Sequence, residues 1–299
     1  MSGEADYLIT YDERRYPLHS MSRRGLLNLS GLFNIPVNYQ TTRGYQQDGV
    51  TVLDHHLTSR TLSLLVKDTG HCRDDYWLTR RYKLLEALRM NRGGPLSYLK
   101  VLPDGQQRQI DCWLQSGPTQ ANDQGSPDAM TMQASFTLMC PDPAFYNPLE
   151  TVYLVPVATD LELEFPITFP IVFGAGAAFA GAITYTGTWR SYPSIQLTGP
   201  YNYITVTNTT ASGEASVTLS VPLTTGTVIT LYLTPGAQRI ENAAGNVLPE
   251  VPASGSLLDW ALLPDPLATD GANAIAVSGS GFGATTAVQI QYNTRYAAL

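Results

Sequence analysis

The sequence predicts a mainly β chain of two domains, an α+β first domain, sandwich-like with one helix, and a β-sandwich second domain. Three observations carry this. In residues 60–67 and 129–140 apolar side chains alternate with polar or small ones, the period of a half-buried strand. After residue 150, hydroxyl-rich turns recur about every eight to twelve residues, the spacing of a sandwich. Between the halves stands Pro141-Asp142-Pro143-Ala144-Phe145-Tyr146-Asn147-Pro148. Prolines lack a backbone donor and fix φ, so Pro141, Pro143 and Pro148 exclude a helix or central strand there. A free linker has no use for two large rings, so Phe145 and Tyr146 mark a packed hinge. The expected domains are residues 1–148 and 149–299, and a chain of 299 residues can bury two cores of ordinary size.

Charge separates the halves as well. Residues 1–150 hold 15 basic and 16 acidic side chains, whereas the remainder holds 3 and 9. Neither half has the basic stripe that nucleic-acid binding requires. Charged residues make up only 14% of the chain, which favours a surface covered by partners or rich in hydroxyls and amides. The cysteines Cys72, Cys112 and Cys140 are odd in number and widely spaced, which argues against a disulfide framework. Met1–Asp6 has no basic segment leading into an apolar run, so no signal peptide is expected and synthesis is placed in a cytosol. Residues 165–188 carry no charge, but Pro166 and Pro170 break any spanning helix, and a proline-bounded strand leading into a Gly/Ala arm at Gly174–Ile183 is expected instead.

In the first half, Tyr7–Tyr11 reads as a strand ended by the charged turn Asp12–Arg15, and the apolar but Gly- and Pro-punctuated stretch from Leu26 to Val37 has no clear assignment. Asp48-Gly49 signals a turn before strand-like Val50–Leu53 and Arg60–Lys67. Trp77, Arg81, Leu84, Leu85 and Leu88 recur at helical spacing behind Asp74-Asp75, with Gly93-Gly94-Pro95 as terminator. Tyr98–Leu102 and Gln109–Leu114 flank Pro103-Asp104-Gly105 as a hairpin, and Ala129–Cys140 is the last strand before the hinge.

In the second half the expected strands are Thr151–Val157, Ile195–Thr198, Tyr203–Thr207, Ala215–Val221, Val228–Leu233, Gln238–Glu241, Ala274–Ser278 and Ala287–Tyr292. A jelly-roll-like or galectin-like sandwich fits this spacing.

No catalytic set emerges, and no enzyme, metal or cofactor is expected. His55-His56 with His71 and Cys72 would suit zinc by chemistry, but adjacent side chains of a strand face opposite ways. Glu162 and Glu164 could share one face as an acid–base pair or as an acidic solvent-facing strand. Gly279–Gly283 lacks the lysine and following helix of a phosphate loop and reads as a hairpin loop. Asn208-Thr209-Thr210 fits the glycosylation pattern, which matters only on a secretory route. The aromatic group Trp189, Tyr192, Tyr201 and Tyr203 could stack on a sugar or meet a partner, or could be sandwich core.

The order of these pieces resembles the distal tail proteins of siphophages. The likeness is carried by Asp48-Gly49, the strand from Arg60 to Val66, the helix from Trp77 to Leu88, the hairpin from Tyr98 to Leu114 and the Pro141–Pro148 segment. It continues through Phe165–Pro170, Tyr192–Pro200, Leu262-Leu263-Pro264 and Asn273–Val277, and so covers nearly the whole chain. The resemblance implies a hexameric ring at the end of a long non-contractile tail, with the first domain forming the ring between tail tube and tail-tip hub and the second, galectin-like, projecting outward. It implies as partners further copies of the chain, the tail tube protein, hub proteins, and tape-measure or receptor-binding proteins. It places the chain at the virion tail tip after assembly in the host cytoplasm, with no membrane insertion and no nucleic acid bound. The alternative is a carbohydrate-binding or host-adsorption module.

Overall fold

The computed structural model describes residues 5–18, 24–69, 84–88, 94–120, 131–156, 179–245, 253–255, 257 and 259–299. The chain divides into two compact units, Met1–Pro148 with Tyr296–Leu299, and Leu149–Arg295. The division falls at the end of the proline-rich segment. The last four residues, placed with the second domain by sequence, group with the first unit instead.

The first unit holds β1 (Ala5–Ile9), β2 (Arg15–Pro17), β3 (Arg24–Ser30), β4 (Val37–Thr42), β5 (Thr51–Leu57), β6 (Arg60–Thr69), β7 (Leu96–Val101), β8 (Gln107–Gln120), β9 (Thr131–Cys140) and β10 (Phe145–Tyr146). A nine-stranded sheet runs β2-β1-β7-β8-β9-β6-β3, with β10 beside β8 and the late strand Arg295–Tyr296 beside β10. The long strand β8 makes the corner. Its residues 107–112 pair with β7 and its residues 113–120 with β9. Register shifts at Ser116 accompany the change of partner, as bulges do where a strand bends from one layer to the next. Gly117 stands there with φ +91°, and a Cβ would lie 2.6 Å from the Ser135 carbonyl oxygen, so only glycine fits. The layers enclose Leu8, Leu62, Leu64, Val66, Tyr98, Ile110, Phe136, Leu138 and Phe145. Of the expected helix, residues 84–88 are described. They form a helical turn closed by the Leu88 N–H donating to the Leu84 carbonyl at 3.0 Å, and Leu84 and Leu88 pack on this core.

The stretch that sequence left unassigned is strand β3, a surface loop and the start of β4. A bulge between Leu26 and Asn28 explains why its apolar residues do not alternate.

The second unit holds β11 (Thr151–Leu154), β12 (Phe179–Thr184), β13 (Ser194–Thr198), β14 (Tyr203–Thr210), β15 (Gly213–Leu219), β16 (Val228–Tyr232), β17 (Arg239–Asn242), β18 (Ala253–Gly255), β19 (Ala272–Ser280) and β20 (Ala287–Tyr292); β21 (Arg295–Tyr296) follows. Two five-stranded antiparallel sheets, β11-β20-β13-β16-β17 and β12-β19-β14-β15-β18, share a core of alternate residues. Ile195, Leu197, Ile229, Leu231, Val288 and Ile290 face Ile204, Val206, Val217, Leu219, Ile275 and Val277 across it. The chain is therefore mainly β, as its turn spacing predicts. Of the Gly/Ala arm, residues 174–178 lie outside the described residues, and from Phe179 it is packed as strand β12, paired along its length with β19. Among the described residues no helix is long and apolar enough to cross a membrane.

Candidate functional site

Strand β9 ends at Cys140 because Pro141 cannot donate to the ladder. The Asp142 carboxylate then accepts the Ala144 N–H at 3.1 Å, a local turn that returns the chain to the sheet as β10. Phe145 is fully buried in the first core, with the Arg60 guanidinium 4.8 Å from its ring centre. Tyr146 is held through its hydroxyl, which donates to Asp111 at 2.9 Å and accepts the Gln109 side-chain amide at 2.8 Å. Asp111 also accepts the Ser97 hydroxyl at 2.6 Å. Burial first, and the Asp111 charge second, raise the Tyr146 hydroxyl well above the usual phenol range, so it remains a donor. Phe145 and Tyr146 are thus anchored in the first unit.

Arg60 is the centre of this arrangement. It is 2% exposed, and its Nη1 donates to the Leu32 carbonyl at 2.6 Å while Nη2 donates to the Ala297 carbonyl. Its Nε has no acceptor among the described residues. Burial lowers its basicity from the ordinary value. Arg108 acts beside it, with its guanidinium 3.5 Å from the centre of the Tyr296 ring. One short stretch, Tyr296-Ala297, is therefore gripped by two arginines, while Tyr296 and Leu299 pack on the first core. The chain passes between units twice, after Pro148 and after Arg295, and on the first-unit side of each passage an arginine holds it. Arg60 could have been found by parity, because it shares the face of Leu62, Leu64 and Val66 on β6. Arg108 carries the same signal on β8, where it shares the face of Ile110 and Cys112, whereas Asp111 and Tyr296 had none.

The aromatic group of the second unit does not form one surface. Tyr201 is 1% exposed and its hydroxyl has no hydrogen-bond partner among the described residues. It is a core residue, so the reading of Tyr201 as a sugar or partner contact is corrected. Tyr203 is 46% exposed, while Trp189 and Tyr192 are half-buried. Trp189 is fixed by its backbone, its N–H donating to Arg295 and its carbonyl accepting the Tyr185 hydroxyl. No ring contact among the described residues joins any two of the four.

The remaining candidates resolve individually. His55 and His56 lie on opposite faces of β5, across from Tyr39 and Asn38, and no group of three metal-ligating side chains occurs among the described residues. Glu162, Glu164, His71 and Cys72 lie outside those residues. Gly279–Gly283 is not a hairpin loop, because β19 and β20 belong to different sheets and the loop arches between them. Asn208 is 2% exposed and donates to the Ala261 carbonyl at 2.8 Å and the Asn273 side chain at 3.0 Å. That burial denies the Asn208-Thr209-Thr210 pattern to any modifying enzyme acting on the folded chain.

Two antiparallel β units with a proline-rich passage after the first make up the fold of the chain. The SPP1 Dit (gp 19.1) protein, a paradigm of the hub adsorption apparatus in phages infecting Gram-positive hosts, superposes with a TM-score of 0.63 over 97% of this chain and 98% of its own, at 14% identity. Chains of the phage P2 baseplate in its activated conformation superpose less closely: 0.48 with calcium, 8% identical, over 97% and 98%, and 0.46 with strontium, 10% identical, over 94% and 100%. No protein-family model and no curated protein matches the sequence. The chain has the fold of the SPP1 Dit protein.

Proposed function

We propose that the chain is a structural subunit of a phage tail, the distal ring of a long non-contractile tail joining tail tube to tail-tip hub. In this reading copies associate as a hexamer through the first unit, after synthesis in the host cytoplasm, and the chain performs no catalysis. The observation that supports it is the reach of the fold likeness to the SPP1 protein, which extends over both units and nearly the full length of both chains. The proline-rich segment serves as an anchored elbow: Pro141, Pro143 and Pro148 stiffen it, and Phe145 and Tyr146 fix its start. Electron microscopy of the purified protein tests the reading, which expects closed rings, and antibody labelling of intact particles tests the position at the tail tip. The carbohydrate-binding alternative now draws on Trp189, Tyr192 and Tyr203 alone, and a glycan array with no response removes it.

A further inference from the structure

We infer that Cys112 and Cys140 are a latent cross-strand disulfide, open in the newly made chain and closed by a small peroxide, that locks β8 to β9 immediately before Pro141; the inference does not depend on the ring reading. Both thiols are free and fully buried in the first core. The register brings them together. Trp113 pairs with Met139 and Leu114 with Leu138, so the next step of the same ladder sets Cys112 opposite Cys140. Both side chains face the core, Cys112 in phase with Ile110 and Cys140 in phase with Leu138 and Phe136. The two thiols also share a hydrogen bond. Directly opposed residues of an antiparallel pair have Cα atoms about 4.5 or 5.5 Å apart, and a disulfide spans about 4.4–6.8 Å, so the bond fits either spacing.

A buried cysteine is ordinarily a small apolar filler, but the chain holds only three cysteines, and two of them meet on one face of neighbouring strands. Their outer neighbours are fixed, since Leu96 on β7 pairs with Cys112 and Arg60 on β6 with Cys140. The row Leu96, Cys112, Cys140 and Arg60 thus crosses four strands at the corner where β8 changes partner. A bond in the middle of that row fastens the corner.

The chemistry needs no further group from the protein. One thiol sulfur takes an oxygen from hydrogen peroxide as the O–O bond breaks, which gives a sulfenic acid and one water. The opposite sulfur then attacks it, the S–O bond breaks, and the S–S bond forms with release of a second water. The two thiols together lose two electrons, and one peroxide is reduced. Burial sets the rate. The thiolate is the reactive form of a cysteine, and the hydrogen bond to Cys140, followed by burial, holds the Cys112 thiol well above its usual range. Closure is therefore slow and follows local opening at the strand end. The same burial shields the closed bond from bulky thiol reductants, so once formed it persists.

The test exposes the full-length native protein to hydrogen peroxide, blocks the remaining thiols after denaturation, and maps the unreduced chain by mass spectrometry. The expected result is a monomer lighter by two hydrogens, with Cys112 linked to Cys140. The melting temperature of the first unit should rise by about 5–10 °C, as for closing a loop of about 30 residues. Free thiols at both positions, sulfinic or sulfonic acid at either, or a bond from either to Cys72 or to another copy would overturn the pair. The expected bond with an unchanged or lowered melting temperature would overturn the lock. Cys112→Ala treated in the same way must show neither link nor rise, and a rise there would assign the effect to another oxidation and refute the lock. Should that variant fail to fold, reduction of the unfolded, oxidised native chain followed by refolding decides: the melting temperature must return to its starting value, and a rise that survives reduction refutes the lock.

Discussion

Arg60 shows how one side chain can tie distant parts of a chain together. Its partners are carbonyls from the loop after β3 and from the C-terminal tail, and its ring neighbour is Phe145. Removing it leaves buried carbonyls unsatisfied, so Arg60→Met should lower the stability of the first unit by about 2–4 kcal/mol in a denaturant titration. Arg60→Lys should recover little, because a single ammonium cannot span the forked pattern. A second residue-scale prediction concerns the buried free thiols Cys112 and Cys140. A hydrogen bond shared with Cys140, followed by burial, raises the Cys112 thiol well above its usual range. Thiolate formation is thereby suppressed in the folded state. Alkylation at pH 8 mapped by mass spectrometry should leave Cys112 unmodified in native protein and modify it after denaturation.

At the scale of elements, the proline-rich segment is anchored in the first unit through Phe145 and Tyr146. Phe145→Ala should cost the first unit about 3–5 kcal/mol, the usual penalty for emptying a buried phenylalanine site. Tyr146→Phe should cost about 1–2 kcal/mol through loss of the bond to Asp111. In limited proteolysis the double alanine variant should be cut near residues 147–150 faster than the parent. In the second unit Asn273 binds the Leu263 and Gly271 carbonyls and the Leu263 N–H. These bonds pin the segment before β19 that also carries the buried Trp260.

Much of this was legible because single strands announce themselves by period. The alternation of Leu62, Leu64 and Val66 on β6 survives intact in the structure, and β20 keeps its expected bounds. What escaped was set by distant contacts or by local breaks in period. Gly117-Pro118 looks like a strand terminator, yet β8 continues through it to Gln120 because β9 supplies a new partner. Neither the return of Tyr296–Leu299 to the first core nor the pairing of β12 with β19 has a local signature. The aromatic group failed for a related reason. Tyr201 and Tyr203 stand two apart, but only Tyr201 points into the sandwich, and composition cannot tell a displayed ring from a packed one.

At the scale of the molecule, two cores joined by two chain passages make the C-terminal tail part of the first unit. A fragment of residues 149–295 carrying Trp189→Phe should fold by itself, with Trp260 emission characteristic of a buried indole. A fragment ending at Pro148 should unfold at lower denaturant than the first unit within the whole chain, because it lacks the tail that Arg60 and Arg108 hold. Equal midpoints would mean that the clasp contributes nothing to stability.

The central claim, that this fold is used to build a tail ring, is tested most directly by electron microscopy of the purified full-length protein across a range of concentrations. The account predicts closed rings of uniform size. Monomers at every concentration, with no rings alone or with tail partners, would contradict it.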